Sequence, residues 1–140
     1  MVRPHILKKI LIGCLFLASV LVVGCKKDAE VKAVLGELDS FTKELVQKVE
    51  ATQGSAEGLE AAQQFLDSKK NDLKKKLEVL KGVRGFQISE ATKKTMTDGF
   101  AKNSTEVMSL QIRYARNARD VNYKTKLEKL VTDYRNLLTA

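Results

Sequence analysis

The chain has 140 residues and a formal net charge of +8, from 25 Lys and Arg against 17 Asp and Glu. It holds two cysteines, one histidine, one proline and no tryptophan. This length suits one compact domain, and the Cys and His count excludes a disulfide scaffold and a spaced zinc-ligand set.

The chain opens MVRPHILKK, runs through the uncharged ILIGCLFLASVLVVG and turns polar at CKKDAE. A basic start followed by an apolar run of this kind reads as an export signal. The run covers residues 10–24, 15 positions, and falls short of the roughly 17 to 25 that cross a bilayer comfortably. Removal is therefore expected rather than retention. Cys14 lies within it as a small hydrophobe and leaves with it.

The motif Val22-Val23-Gly24-Cys25 resembles the lipobox of bacterial lipoproteins. The resemblance implies that Cys25 carries the diacylglyceryl group, that Gly24 is the last residue removed, and that the new N-terminus is acylated, palmitate being the lipid expected. It also implies that a Gram-negative cell would hold the protein at the outer membrane facing the periplasm, because Lys26 rather than aspartate follows the cysteine. The physics is independent of the name. Each buried methylene contributes about 0.8 kcal/mol, and two or more chains are needed for lasting attachment. The resemblance covers the first 25 residues and does not reach the remainder of the chain.

With residues 1–24 removed as the signal, 116 residues remain, with 22 bases against 17 acids and a net side-chain charge of +5. Residues 25–30 read as anchor and polar tether, and residues 31–140 as one helical domain. Val31, Val34, Leu35, Leu38, Phe41, Leu45, Val46 and Val49 recur at helical spacing, which predicts a helix over about 29–52. Gly36 inside it reads as a surface glycine. Gln53, Gly54 and Ser55 supply a turn, with Ser55 as N-cap of a second helix over 56–81. Its stripe is Leu59, Ala62, Phe65, Leu66, Leu73, Leu77 and Leu80. Gly82 and Gly85 bracket a loop in which Phe86 and Ile88 are expected to plug the end of the core.

Ser89 caps a third helix carrying Met96, Phe100, Val107, Leu110 and Tyr114, with Ile112 at its flank. Asn103 and Ser104 interrupt that stripe. A polar break at the helix surface is the expectation, and a buried polar pair fixing register is the alternative. Polar residues over 116–122 predict a turn, with Asp120 capping a fourth helix over 121–138. Four helices with short connections predict an all-α, antiparallel, up-down-up-down four-helix bundle. The competing reading is one continuous helix from Ser89 onward in a three-helix bundle or an oligomer.

Charge is uneven along the chain. Residues 28–67 carry nine acids and three lysines, whereas residues 68–140 carry 17 bases and eight acids. Pairing of the acidic half with the basic half is expected to favour one packing arrangement. Two basic groups stand out as contacts for an anionic partner: Lys69, Lys70, Lys74, Lys75, Lys76, Lys81 and Arg84, then Arg113, Arg116 and Arg119 with Lys124 and Lys126. A solvated face is the plainer reading of both. Nucleic acid is not expected, since no binding motif accompanies the charge.

The only histidine is His5, in the signal, so the remaining chain has no imidazole base or ligand. No CxxCH, phosphate loop, nucleophile elbow or Glu-x-x-His element is present. Tyr114, Tyr123 and Tyr134 are expected at the core edge with their hydroxyls in water, the alternative being an aromatic–basic patch. The expected protein is a non-enzymatic envelope lipoprotein without cofactor or metal. It would act as a structural or adaptor module, held to the bilayer through Cys25 and binding an envelope protein or anionic envelope component. The alternative is a bundle that binds a lipid or small hydrophobic ligand.

Overall fold

In the computed structural model the backbone is described for residues 5–139 and the side chains for residues 27–139. Four helices pack as a bundle: α1 (His5–Glu50), α2 (Ala56–Lys81), α3 (Glu90–Arg113) and α4 (Val121–Thr139). A 3₁₀ turn, Asn117–Arg119, separates the last two. The break there excludes the continuous third helix. No strand occurs among the described residues.

The helix ends follow local chemistry. At the end of α1, Gln53 N donates to Glu50 O at 2.9 Å and Gly54 N to Val49 O at 2.8 Å, the paired bonds of a Schellman ending. Gln53 and Gly54 both take left-handed φ, at 54° and 69°. Ser55 and Ser89 cap α2 and α3 by accepting from Gly58 N and Thr92 N, each at 3.2 Å. Asp120 Oδ1 accepts from Tyr123 N at 3.0 Å and starts α4. Residues 27–30, expected as a tether, continue α1 instead.

Consecutive helices run antiparallel, as short connections require. The neighbour order is less simple. Side by side lie α1 with α2, α1 with α3, α2 with α4, and α3 with α4. Asp28 meets Ser89, Asp39 meets Lys102 and Glu50 meets Arg113, so α1 and α3 run in the same direction. Lys126 meets Glu60 and Gln63 meets Asp133, so α2 and α4 do too. The connection over residues 82–89 therefore crosses the bundle diagonally. One end of the bundle gathers residues 27–31 of α1, the 82–89 connection and the end of α4. The other gathers the 51–55 and 114–120 connections.

The apolar stripes of the helices form one core, with Leu38, Leu45, Leu66, Val107, Leu110 and Leu130 fully buried. At the far end the two connections lock together. A Cβ on Gly54 would lie 2.2 Å from Tyr114 Cδ1, and Asn117 Nδ2 donates to Gly54 O at 3.1 Å. Gly36 is exposed with open space around it.

Three expectations are corrected. Ile88 is buried, but Phe86 is 84% exposed and plugs nothing. Asn103 is buried rather than part of a surface break; its Nδ2 donates to Gly99 O at 2.8 Å and its Oδ1 is unpartnered. Ser104 is only half-buried and turns to Met108, so no buried polar pair forms. Tyr134 and Tyr123 bury their hydroxyls as well as their rings, because their stripe faces the core interior rather than its edge.

Candidate functional site

The lysine cluster of α2 is continuous in sequence and divided in space. At about 100° per residue, Lys70, Lys74 and Lys81 fall on one flank of the Leu66–Leu73–Leu77–Leu80 stripe. Lys69 and Lys76 fall on the other, and Lys75 lies opposite the core. The contacts agree. Lys70 and Lys74 line a surface groove with Asp133, Asn136 and Leu137 of α4, whereas Lys76 Nζ lies 2.6 Å from Glu37 of α1 and 3.1 Å from Asp72.

Four ion pairs join neighbouring helices: Lys76 with Glu37, Lys102 with Asp39, Arg113 with Glu50 and Lys126 with Glu60. In each, the acid comes from the acidic half and the base from the basic half. In two of these pairs the hydrogen bonds shift a titration. Lys102, then Lys43, holds the Asp39 carboxyl below its usual range, and Glu37 followed by Asp72 raises Lys76. Lys70 and Asp67, 2.7 Å apart, hold each other charged, the acid lowered and the base raised.

Among the described residues, no carboxylate lies within ion-pair distance of Lys69, Lys74, Lys75, Lys81, Arg84, Arg116 or Arg119. These cations do not form one site. Lys81 and Arg84 sit at the end nearest the start of the described side chains, and Arg116 and Arg119 at the opposite end. The 26 residues of α2 separate the two by about 39 Å at 1.5 Å per residue. Arg113 belongs to the Glu50 pair, and Lys124 lies 3.6 Å from Glu128. Within four residues of Arg116 and Arg119 in sequence are Ile112 and Val121, 82% and 78% exposed. Reading the stripes alone missed Val121. Its signal is its place as first residue of α4, before the helix has a neighbour to bury it.

The second feature is an apolar groove of about 280 Å³ at the other end, lined by Leu77, Leu80, Met96, Phe100 and Leu138 with Lys81 at its rim. It opens because α2 and α3 are diagonal and leave the start of α3 unsupported on that side. Met96 and Phe100 are half-buried there rather than sealed in the core.

Tyr134 is buried in the core. Its ring stacks on Phe41 at 6.4 Å, and Phe41 stacks on Phe65 at 5.0 Å. Lys48 Nζ lies 4.9 Å from the Phe65 centroid and ends the ladder with a cation–π contact. Burial pushes the Tyr134 hydroxyl up to about 12, so it stays protonated and serves as a structural donor. Burial likewise raises Tyr123.

Among the described residues no three His, Cys, Asp or Glu side chains converge as metal ligands, and no helix is long and apolar enough to cross a membrane. The signal, the lipobox and Cys25 lie outside the residues whose side chains are described. No family model, curated protein or solved structure matches the chain.

Proposed function

We propose that the protein is an exported lipoprotein, tethered through Cys25, whose bundle acts as a structural or adaptor module for another envelope component and performs no catalysis. In a Gram-negative cell it would stand on the outer membrane and face the periplasm. The observation that carries the adaptor reading is the far end of the bundle. There Arg116 and Arg119 lack carboxylate partners among the described residues, and Ile112 and Val121, close to them in sequence, are exposed. Cations and exposed apolar side chains at one end suit a partner that presents acids around an apolar anchor. The interhelical pairs support the same reading, since they use acids of the first half internally and leave these bases available.

Catalysis finds little footing. The resolved carboxylate shifts are all downward, held by lysines or by capping bonds. None is raised toward the range of a general acid or base at neutral pH. The test is photo-crosslinking in intact cells from a probe at position 116, with position 64 on the exposed face of α2 as control. A discrete protein adduct from 116 alone is expected. Equal, nonspecific labelling from both positions would remove the adaptor reading.

A second reading, a bundle for a lipid or small hydrophobic ligand, is favoured by the groove at Leu77, Leu80, Met96, Phe100 and Leu138. Its volume suits a short apolar segment with an anionic group at Lys81. Organic extraction of the purified protein separates the readings. A stoichiometric apolar ligand lost on Phe100→Glu supports the second, and none supports the first.

A further inference from the structure

The connection from α2 to α3 is a built projection. Val83 N donates to Leu80 O at 3.2 Å and continues the end of α2. Arg84 N then donates to Gln87 Oε1 at 2.9 Å, and Gln87 N donates to Arg84 O at 2.8 Å. These bonds close a turn whose central residues are Gly85 and Phe86. Two residues on, Ile88 is buried and fixes the turn to the core, while Phe86 projects at 84% exposure. A large aromatic face is thus held in water by a structured turn, which is how an interaction site differs from a scattered surface apolar residue.

Its location says what covers it. Ser89 N donates to Asp28 Oδ1 at 2.9 Å, tying the turn to the part of α1 just after Cys25. Cys25 precedes Asp28 by three residues, a reach of no more than about 10 Å. The surrounding charge is basic. Residues 81–88 contain Lys81 and Arg84 and no acid. Lys93 Nζ lies 3.4 Å from where a Cβ on Gly85 would stand, and Lys26 and Lys27 follow the cysteine in sequence. Of the acids at this end, Asp28 is engaged by Ser89, Glu30 by Lys27 and Glu90 by Lys93, while the exposed Glu78 stands three residues before Lys81 on α2. An aromatic tip on a turn that carries Lys81 and Arg84 matches the headgroup layer of an anionic bilayer, where rings sit at the interface and cations meet phosphate.

We propose that residues 81–88 form a second membrane contact: Phe86 enters the headgroup level of an anionic bilayer, Lys81 and Arg84 bind lipid phosphates, and the bundle is seated end-on over its anchor. This rests on tethering through Cys25. It deepens that reading by setting the orientation, which puts Arg116 and Arg119 about 39 Å from the membrane, the length of α2.

The chain has no tryptophan, so Phe86→Trp places a single reporter at the turn and Ile112→Trp a control at the far end. Each full chain is purified from membranes and reconstituted in phosphatidylcholine–phosphatidylglycerol vesicles containing brominated lipid. Strong quenching and a blue-shifted emission are expected at position 86, with neither at position 112. Adding Lys81→Glu and Arg84→Glu should move the docked–undocked equilibrium at least about tenfold toward the water-exposed state. A lipidated, vesicle-bound chain whose indole at position 86 stays in water overturns the proposal. Shielding in native membranes without quenching by brominated lipid also overturns it and assigns the turn to a protein partner. The mass of the same preparation reports Cys25 separately. An unmodified cysteine removes the anchoring reading, and this proposal with it.

Discussion

The Tyr134 hydroxyl meets Thr42 Oγ1 at 2.5 Å across the diagonal of the bundle, between helices whose backbones are not neighbours. Thr42 Oγ1 gives its own proton to Leu38 O at 2.8 Å, so Tyr134 is the donor. The bond is fully buried and joins α1 to α4 through the middle of the core.

Tyr134→Phe should therefore lower stability by about 1 kcal/mol, and Thr42→Val, which leaves the phenol without its acceptor, by about 1–3 kcal/mol. Denaturant titration of both variants measures the difference, and the greater loss is expected for Thr42→Val.

The pH dependence of the same bond has a definite sign. The folded hydroxyl titrates at about 12, above its ordinary value of 10.0. Its contribution is complete below about pH 10 and is lost as pH rises toward 12, by roughly 2–3 kcal/mol at most. Comparison of wild type with Tyr134→Phe at pH 8 and pH 11 isolates this loss from lysine titration. The gap between them should shrink or reverse at the higher pH.

Two glycines should respond in opposite directions. Gly54→Ala forces a side chain into a left-handed backbone and into the Tyr114 ring, and a loss of at least about 2 kcal/mol is expected. Gly36→Ala meets nothing within 4 Å on an exposed helix face and should raise stability by about 0.5–1 kcal/mol. Thermal melts of the two variants on either side of wild type check the pair.

Asn103→Leu removes the unpartnered buried Oδ1. Gly99 O keeps its backbone helical bond, so nothing new is orphaned. A gain of about 1 kcal/mol is expected after some repacking. If the variant melts lower than wild type, the buried amide is contributing more than its single bond to Gly99 suggests.

Asp39 bridges Lys43 and Lys102 and is held below its usual range. With the folded value depressed, its contribution is present above the unfolded carboxyl value of 3.8 and is lost as pH falls through the folded one. Asp39→Asn should cost about 0.2–1 kcal/mol at neutral pH and low salt. That cost should vanish in strong acid and diminish in 1 M salt.

Much of the fold was legible because its signals are local. Ser55 with Gly82, and Asp120 with Val121, bound their helices by capping and turn chemistry that operates within a few residues. The neighbour order was not legible, because nothing in the 82–89 connection says whether it follows an edge or a diagonal. Phe86 was misplaced for a related reason: outside a helix, hydrophobicity has no period to say which way a side chain faces. Asn103 shows the converse, a polar residue carried inward by the stripe around it. The division of the α2 lysines was readable from helical geometry, since Lys70, Lys74 and Lys81 share a flank that Lys69 and Lys76 do not. Their surroundings were not, because Glu37 of α1 reaches Lys76, and Asp133 of α4 comes beside Lys70 and Lys74, only through the packing of different helices.

The anchoring claim is tested most directly by the intact mass of the protein recovered from the membrane fraction of its own cells. The account predicts a chain that begins at Cys25 and carries the added mass of a diacylglyceryl group and an N-terminal acyl chain. A full-length, unmodified chain of 15.6 kDa at steady state would contradict it.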